Sequence, residues 1–336
     1  MLLFKYASPD SVKNVFEREG EVSVRFGLPR TYNDPYELYL QPDAPLESEE
    51  EWESYYSTLN MVGEAPVTCF SRRPDSVVMW AHYGRDGAGI CLGFDEDSFT
   101  DHFPTAFVGD IKYVDGPPTL SSFAIQYSRA TGKNRHLMST LANARAAAYF
   151  TKRADWRYEE ERRVVVQPDS VENRDGILVS RVPANTLRYV IVGPKARRTV
   201  QRTCKSWARK HNVPLLCFRI GIRTYEPFFS GASASALKWI AGDFQDCLGV
   251  CAECGEPADV NEDGVCQWCS IPEETRHPVP ADYMQSLMAR IEIYEPFGYT
   301  SARVERKGHG VKESGGDDVI AGGNRDNTRS SSPKHV

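Results

Sequence analysis

Tyr158-Glu159-Glu160-Glu161-Arg162-Arg163-Val164-Val165-Val166-Gln167 decides the fold class, because it opens a series of β-type runs rather than one strand of a β/α alternation. Gly176–Val182 and Leu187–Val192 follow as further strands with no helix between them. An amphipathic helix over Ala196–Lys210 and a closing strand over Pro214–Ile220 come next. Strands that cluster as well as alternate with helices predict an α+β fold: a mixed, largely antiparallel sheet with flanking helices.

Upstream, Pro9-Asp10-Ser11 caps a helix with Val12, Val15 and Phe16 on one face, Gly20 ends it, and Val22–Phe26 is a strand. Two prolines and Asn33-Asp34 make Pro29–Pro35 a turn-rich loop. The acidic stretch 43–60 is expected to form an exposed helix covering the sheet. Pro66–Phe70 and Ala88–Phe94 are core strands, and Asp75 or Ser76 caps a short helix carrying Met79, Trp80 and Tyr83. The alanine- and leucine-rich run Ser121–Lys152 is expected to be one long helix.

The chain has 336 residues and a formal net charge of −6. That length suits one sizeable domain plus an appendage. The predicted division is a main domain over 1–228, a linker and short helix over 229–248 and a zinc ribbon over 249–272. A C-terminal helix over 273–302 and a disordered tail over 303–336 complete it. The negative balance excludes a global basic field, so any nucleic-acid contact has to be local. The start carries no secretory signal and no later stretch is apolar enough to span a bilayer, which leads to the expectation of a cytoplasmic protein that does not enter a membrane.

Cys251-x2-Cys254 and Cys266-x2-Cys269 supply four soft ligands from two knuckles, the set a structural zinc ion asks for. Gly255 suits the turn after the first pair, and Asn261 with Asp263-Gly264 suits a hairpin between them. Cys247 is off-register and is assigned to packing, while Cys69, Cys91, Cys204 and Cys217 are scattered among apolar residues as buried thiols. Glu253, Glu256, Asp259, Glu262 and Asp263 are expected to be exposed, which favours a protein partner, or capping of the main domain, over phosphate binding at that surface.

Three polar clusters stand out in the main domain. Asn33-Asp34-Pro35-x-Glu37 presents an amide and two carboxylates on a stiff turn. Met79-Trp80-x-His82-Tyr83 leads into Gly84, Gly87 and Gly89, a loop that a ligand can approach closely. On a strand, Glu159, Glu161 and Arg163 would share one face. Each cluster also has a plain structural reading: a turn cap, core aromatics and a buried ion pair.

These residues resemble the bacterial family known as domain of unknown function 2971. The resemblance runs through Phe4-Lys5-Tyr6, Phe26-x-x-Pro29-x-x-Tyr32-Asn33-Asp34-Pro35-x-Glu37, Cys69-Phe70-Ser71, Met79-Trp80-x-x-Tyr83, Gly89, Phe94, Lys152 and Trp156-x-Tyr158-Glu159-x-Glu161-x-Arg163, and covers about residues 1–220. Gly87 stands where the family often has a histidine, so a step using that histidine would fall to His82 or be missing.

The family name carries no activity. A weaker likeness of layout, resting on a basic and aromatic first strand and a late Glu-x-Glu strand, is to NAD-dependent ADP-ribosyltransferases. It implies that Glu161 stabilises an oxocarbenium ion, Glu159 handles the acceptor proton, Lys5 or Arg25 holds the diphosphate, and Tyr83 or Trp80 stacks on nicotinamide. An NAD-cleaving toxin or phage-defence effector is then the leading expectation. Two alternatives remain open: a phosphodiesterase with a divalent metal among Asp34, Glu37, Glu159 and Glu161, and a non-catalytic binding protein docking through its zinc ribbon.

Overall fold

Leu3 and Phe4 are adjacent and fully buried, yet they belong to different cores, as the two-residue period of a strand covered on both faces requires. The same alternation places Ile90, Leu92 and Phe94 with Leu3 but Cys91 with Phe4, and it parts Val190 and Val192 from Ile191. Such strands are near-continuous apolar runs because neither face meets water.

The computed structural model describes residues 1–231, 235–272, 275, 282 and 283. Met1–Arg276 form one unit, built on a curled ten-stranded sheet. Across it lie Asp243–Asp246, Ala236–Ile240, Pro227–Ser230, Leu215–Ile220 and Leu187–Val192, then Ile90–Asp95, Leu2–Ala7, Val67–Ser71, Glu161–Val165 and Phe107–Asp110. Its one parallel pair, Leu187–Val192 with Leu215–Ile220, is bridged by the helix Arg198–Lys210, because parallel strands need a crossover. A three-stranded sheet of Glu172–Arg174, Ile177–Pro183 and Glu21–Phe26 packs beside it. The predicted α+β class with a largely antiparallel sheet holds.

Three segments differ from expectation. The acidic helix is Glu49–Val62, capped by Ser48, and it buries Tyr55 and Val62 with Ile125, Leu141, Val67 and Val165 instead of lying wholly exposed. Ser121–Lys152 is two helices, Ser122–Thr131 and Asn134–Phe150, because Gly132 takes a left-handed φ of 59° between them. The described residues of 229–248 are no linker and short helix: they are mostly strand, and the hairpin Ala236–Ile240 with Asp243–Asp246 curls back over the sheet. Trp239 and Phe244 meet Phe4 edge-on, with ring centroids 5.0 and 6.3 Å away. The small polar residues before Ala236 hid an apolar strand that this core face needs. The predicted C-terminal helix over 273–302 and tail over 303–336 lie outside the described residues, apart from residues 275, 282 and 283.

Gly89 closes the tight loop that follows the helix Val77–His82: its amide donates to the Gly84 carbonyl at 2.8 Å. A Cβ there would run into the Ala7 carbonyl oxygen, which is fixed backbone. Gly89→Ala is therefore expected to cost at least about 3 kcal/mol in urea unfolding; a loss below about 1 kcal/mol would show that the loop yields freely.

Candidate active site and metal centre

The first strand, the small sheet and the loop after Phe26 enclose a cavity of about 790 Å³. Lys5, Arg25, Asn33, Tyr83, Glu159 and Glu161 all line it, and His82, Lys152 and Cys69 add to the wall. Side chains more than 150 residues apart in sequence thus share one space.

Lys152 sits at its floor, 5% exposed. Its ammonium lies 2.7 Å from Glu159, 3.2 Å from Glu161 and 3.9 Å from Glu37, and 4.6 Å from the Trp156 ring centroid. Burial opposes its charge, but Glu161 and Glu159 outweigh that, and its pKa is raised. Below it, Arg163 is fully buried. Its Nε donates to Glu161 at 2.6 Å, and Nη1 donates to Glu37 at 2.9 Å and to the Tyr149 carbonyl at 3.0 Å.

The two Glu-x-Glu carboxylates differ in kind. Burial works against ionisation of Glu161, but Arg163 and Lys152 reverse this and hold its carboxyl down to about 2. For Glu159, burial prevails over Lys152 and pushes the carboxyl up. Glu159 accepts a hydrogen bond from the Tyr83 hydroxyl at 2.5 Å, and Asn33 Nδ2 donates to that hydroxyl at 3.0 Å. Glu159 does not share a strand with Glu161: it ends the 3-10 turn Ala154–Glu159, and Glu160 takes a positive φ of 42° before the strand begins at Glu161.

Lys5 donates to the Cys69 carbonyl at 3.1 Å and lies 5.4 Å from the Phe70 ring centroid. Burial lowers its pKa. Among the described residues, no carboxylate lies within ion-pair distance of Lys5 or Arg25, which leaves two cations open to an anion. At the rim, His82 Nδ1 is 3.1 Å from the Tyr158 hydroxyl.

Four expected site residues lie elsewhere. Asp34 is buried and turned away, its carboxylate accepting from the Tyr36 amide at 2.9 Å, as a turn cap does. The Glu37 carboxylate is consumed by Arg163, so neither residue faces the cavity. Trp80 is a core aromatic, stacked on Phe218 at 4.9 Å and donating from Nε1 to the Pro74 carbonyl at 2.8 Å. The reading that gathers Asp34, Glu37, Glu159 and Glu161 around a divalent metal fails on geometry, because the Lys152 ammonium stands where that ion would sit. Sequence reasoning quoted Lys152 only within the family resemblance and gave it no role as the hub; its place just after the helix Asn134–Phe150, four residues before Trp156, was the available signal.

The second centre is the cluster Cys251, Cys254, Cys266 and Cys269, whose sulfurs all lie within 4.8 Å of one another. Such a set can hold a metal such as zinc. Burial opposes a Cys251 thiolate, but amides of Cys254, Cys266 and Glu253 outweigh it and hold its pKa down to about 6. Gly255 has φ 70°, and its amide donates to the Cys251 carbonyl at 2.9 Å. The predicted hairpin forms: Asn261 Oδ1 accepts from the amides of Asp263 and Val265. Glu256 is not exposed as expected. It is buried, and its carboxylate accepts from the amides of Ile222, Arg223 and Thr224 at 3.0 to 3.1 Å, tying the cysteine segment to the turn after Leu215–Ile220.

Fold and site together define an α+β protein with a charged cavity and a four-cysteine centre. Residues 79–164 match the family described as "Protein of unknown function (DUF2971)", which bears out the resemblance read from the motifs. No curated protein and no solved structure matches the chain.

Glu161→Gln is expected to cost about 3–5 kcal/mol in urea unfolding, since it leaves buried cations short of charge. Glu159→Gln should shift stability by no more than about 1 kcal/mol, because Lys152 keeps Glu161. The Glu161 contribution is present above its ordinary pKa of 4.5 and is lost as pH falls toward 2, so the Glu161→Gln variant should lose less stability across that window. Equal losses in the two variants would place Glu159 in the structural network.

Proposed function

We propose that the cavity binds a dinucleotide of the NAD class and that the protein breaks the bond between ribose C1′ and nicotinamide, by hydrolysis or by transfer. One observation carries this reading: a single cavity holds both a carboxylate of raised basicity, Glu159, and two cations without carboxylate partners, Lys5 and Arg25. Its volume of about 790 Å³ falls in the range of small-molecule sites.

In this reading Lys5 and Arg25 neutralise the diphosphate. The C1′–N bond breaks with its electron pair leaving on nicotinamide, and the Glu161 carboxylate offsets the positive charge left on the sugar. The acceptor, water or an O–H or N–H group, bonds to C1′ and passes its proton to Glu159. Tyr83 and Asn33 position that carboxylate, and His82 stands at the entrance.

The same reading gives the cysteine centre one structural zinc ion, with four thiolates filling its shell and no open position for catalysis. Nine free cysteines, four of them in that set, support a reducing, cytoplasmic setting.

Thermal melting with NAD, with Mn(II) and with neither tests the first reading. NAD at a hundredfold over its Kd should stabilise wild-type protein by about 2.7 kcal/mol. Lys5→Ala with Arg25→Ala should abolish the shift, and Glu159→Gln should keep it while losing nicotinamide release. No shift and no nicotinamide release with NAD would sink the reading. For the centre, metal analysis should return about one zinc per chain, and chelation should speed hydrogen exchange at 221–226 and 249–272 while the strands Leu2–Ala7 and Ile90–Asp95 stay protected; no metal in freshly purified protein would refute it.

A further inference from the structure

In a chain of net charge −6, the helix Arg198–Lys210 has the sequence RTVQRTCKSWARK, with five cations and no carboxylate. Val200, Cys204, Trp207 and Ala208 form its buried stripe. Arg198, Arg202, Lys205 and Arg209 fall at i, i+4, i+7 and i+11 and are all exposed, so they form one row on the opposite face. Lys195 and Arg197 extend the row outward in front of the helix. Among the described residues, the only carboxylate within ion-pair distance of this set is Glu19, which meets Lys210 at 2.6 Å. The segment packed beside the helix also brings Glu17 and Glu21, near that same end; Glu17 pairs with Arg174 and Glu21 with Arg18.

Helix stability accounts for Arg209 and Lys210 in the last turn but not for the N-terminal part of the row. Arg197 is the N-cap and makes no side-chain cap hydrogen bond, and Arg198 opens the first turn. Cations at this end oppose the helix dipole, and arginine is a poor cap. Arg197, Arg198 and Arg202 therefore serve something outside the helix.

We infer that this row docks the sugar–phosphate backbone of a nucleic-acid duplex, independently of the cavity. From Arg198 to Arg209 the row is about 16 Å long, which spans about five base steps at roughly 3.4 Å each. Two residues interleaved with it, Thr199 and Ser206, are exposed neutral donors suited to phosphate oxygens. A lipid surface fits less well: an interfacial helix inserts its apolar face, and here that face is spent in the core. Contacts confined to the backbone predict binding without base preference.

Fluorescence anisotropy with short labelled DNA and RNA duplexes tests the inference on the full chain. At least one duplex should bind at low salt, with a log–log salt slope of about −3 to −4 for four phosphate contacts. Arg202→Glu with Lys205→Glu should weaken binding at least tenfold at unchanged melting temperature. Lys133→Glu with Arg135→Glu, an equal charge change on another helix, should stay within twofold. If the first pair fails to fold, Arg202→Gln with Lys205→Gln takes its place. No binding at low salt, equal loss in both pairs, or equally tight row-dependent binding of polyglutamate or of phosphatidylserine vesicles would overturn the inference.

Discussion

A guanidinium sealed from water organises the main domain. Arg163 has no exposed surface, and an unpaired charge there would be far too costly to keep. Its partners come from three directions: Glu161 on its own strand, Glu37 from the loop after the strand Glu21–Phe26, and the Tyr149 carbonyl at the end of a long helix. Satisfying one side chain therefore fixes three elements against each other. That fixed frame is what lets Lys152 hold two carboxylates at the cavity wall, and it sorts them into one whose carboxyl the two cations hold low and one whose carboxyl burial pushes up.

The same frame explains what was legible beforehand. Glu159, Glu161, Tyr83, Asn33 and His82 were singled out because polar groups on strands and glycine loops demand a reason, Lys5 and Arg25 because the transferase-like layout implied them, and the fold brings all of them to one space. Asp34, Glu37, Trp80 and Arg163 carried the same local signals yet serve packing. A sequence shows that a carboxylate needs a partner; it does not show on which side of a sheet the partner stands. Lys152, quoted only within the family resemblance, received no role for the converse reason, since a lysine just past a helix is usually solvated.

β-type residue runs made the strands from Glu161 to Ile220 readable, and paired C-x2-C spacing made the metal centre readable. The hairpin 236–246 was lost because its apolar residues are few and follow a run of small polar ones. Glu256 was misplaced because acidic loop residues are ordinarily exposed; only the three amides of the turn at 222–224 reveal why this one is not.

That hairpin bears on how the chain comes into being. Phe4 leaves the ribosome long before Trp239 and Phe244, which give it aromatic cover, so more than two hundred further residues must be synthesised before the central strand is shielded on both sides. Until then Trp80 covers only part of that face, and the rest of its ring-lined surface stays open on the nascent chain, the kind of exposed apolar patch that chaperones hold.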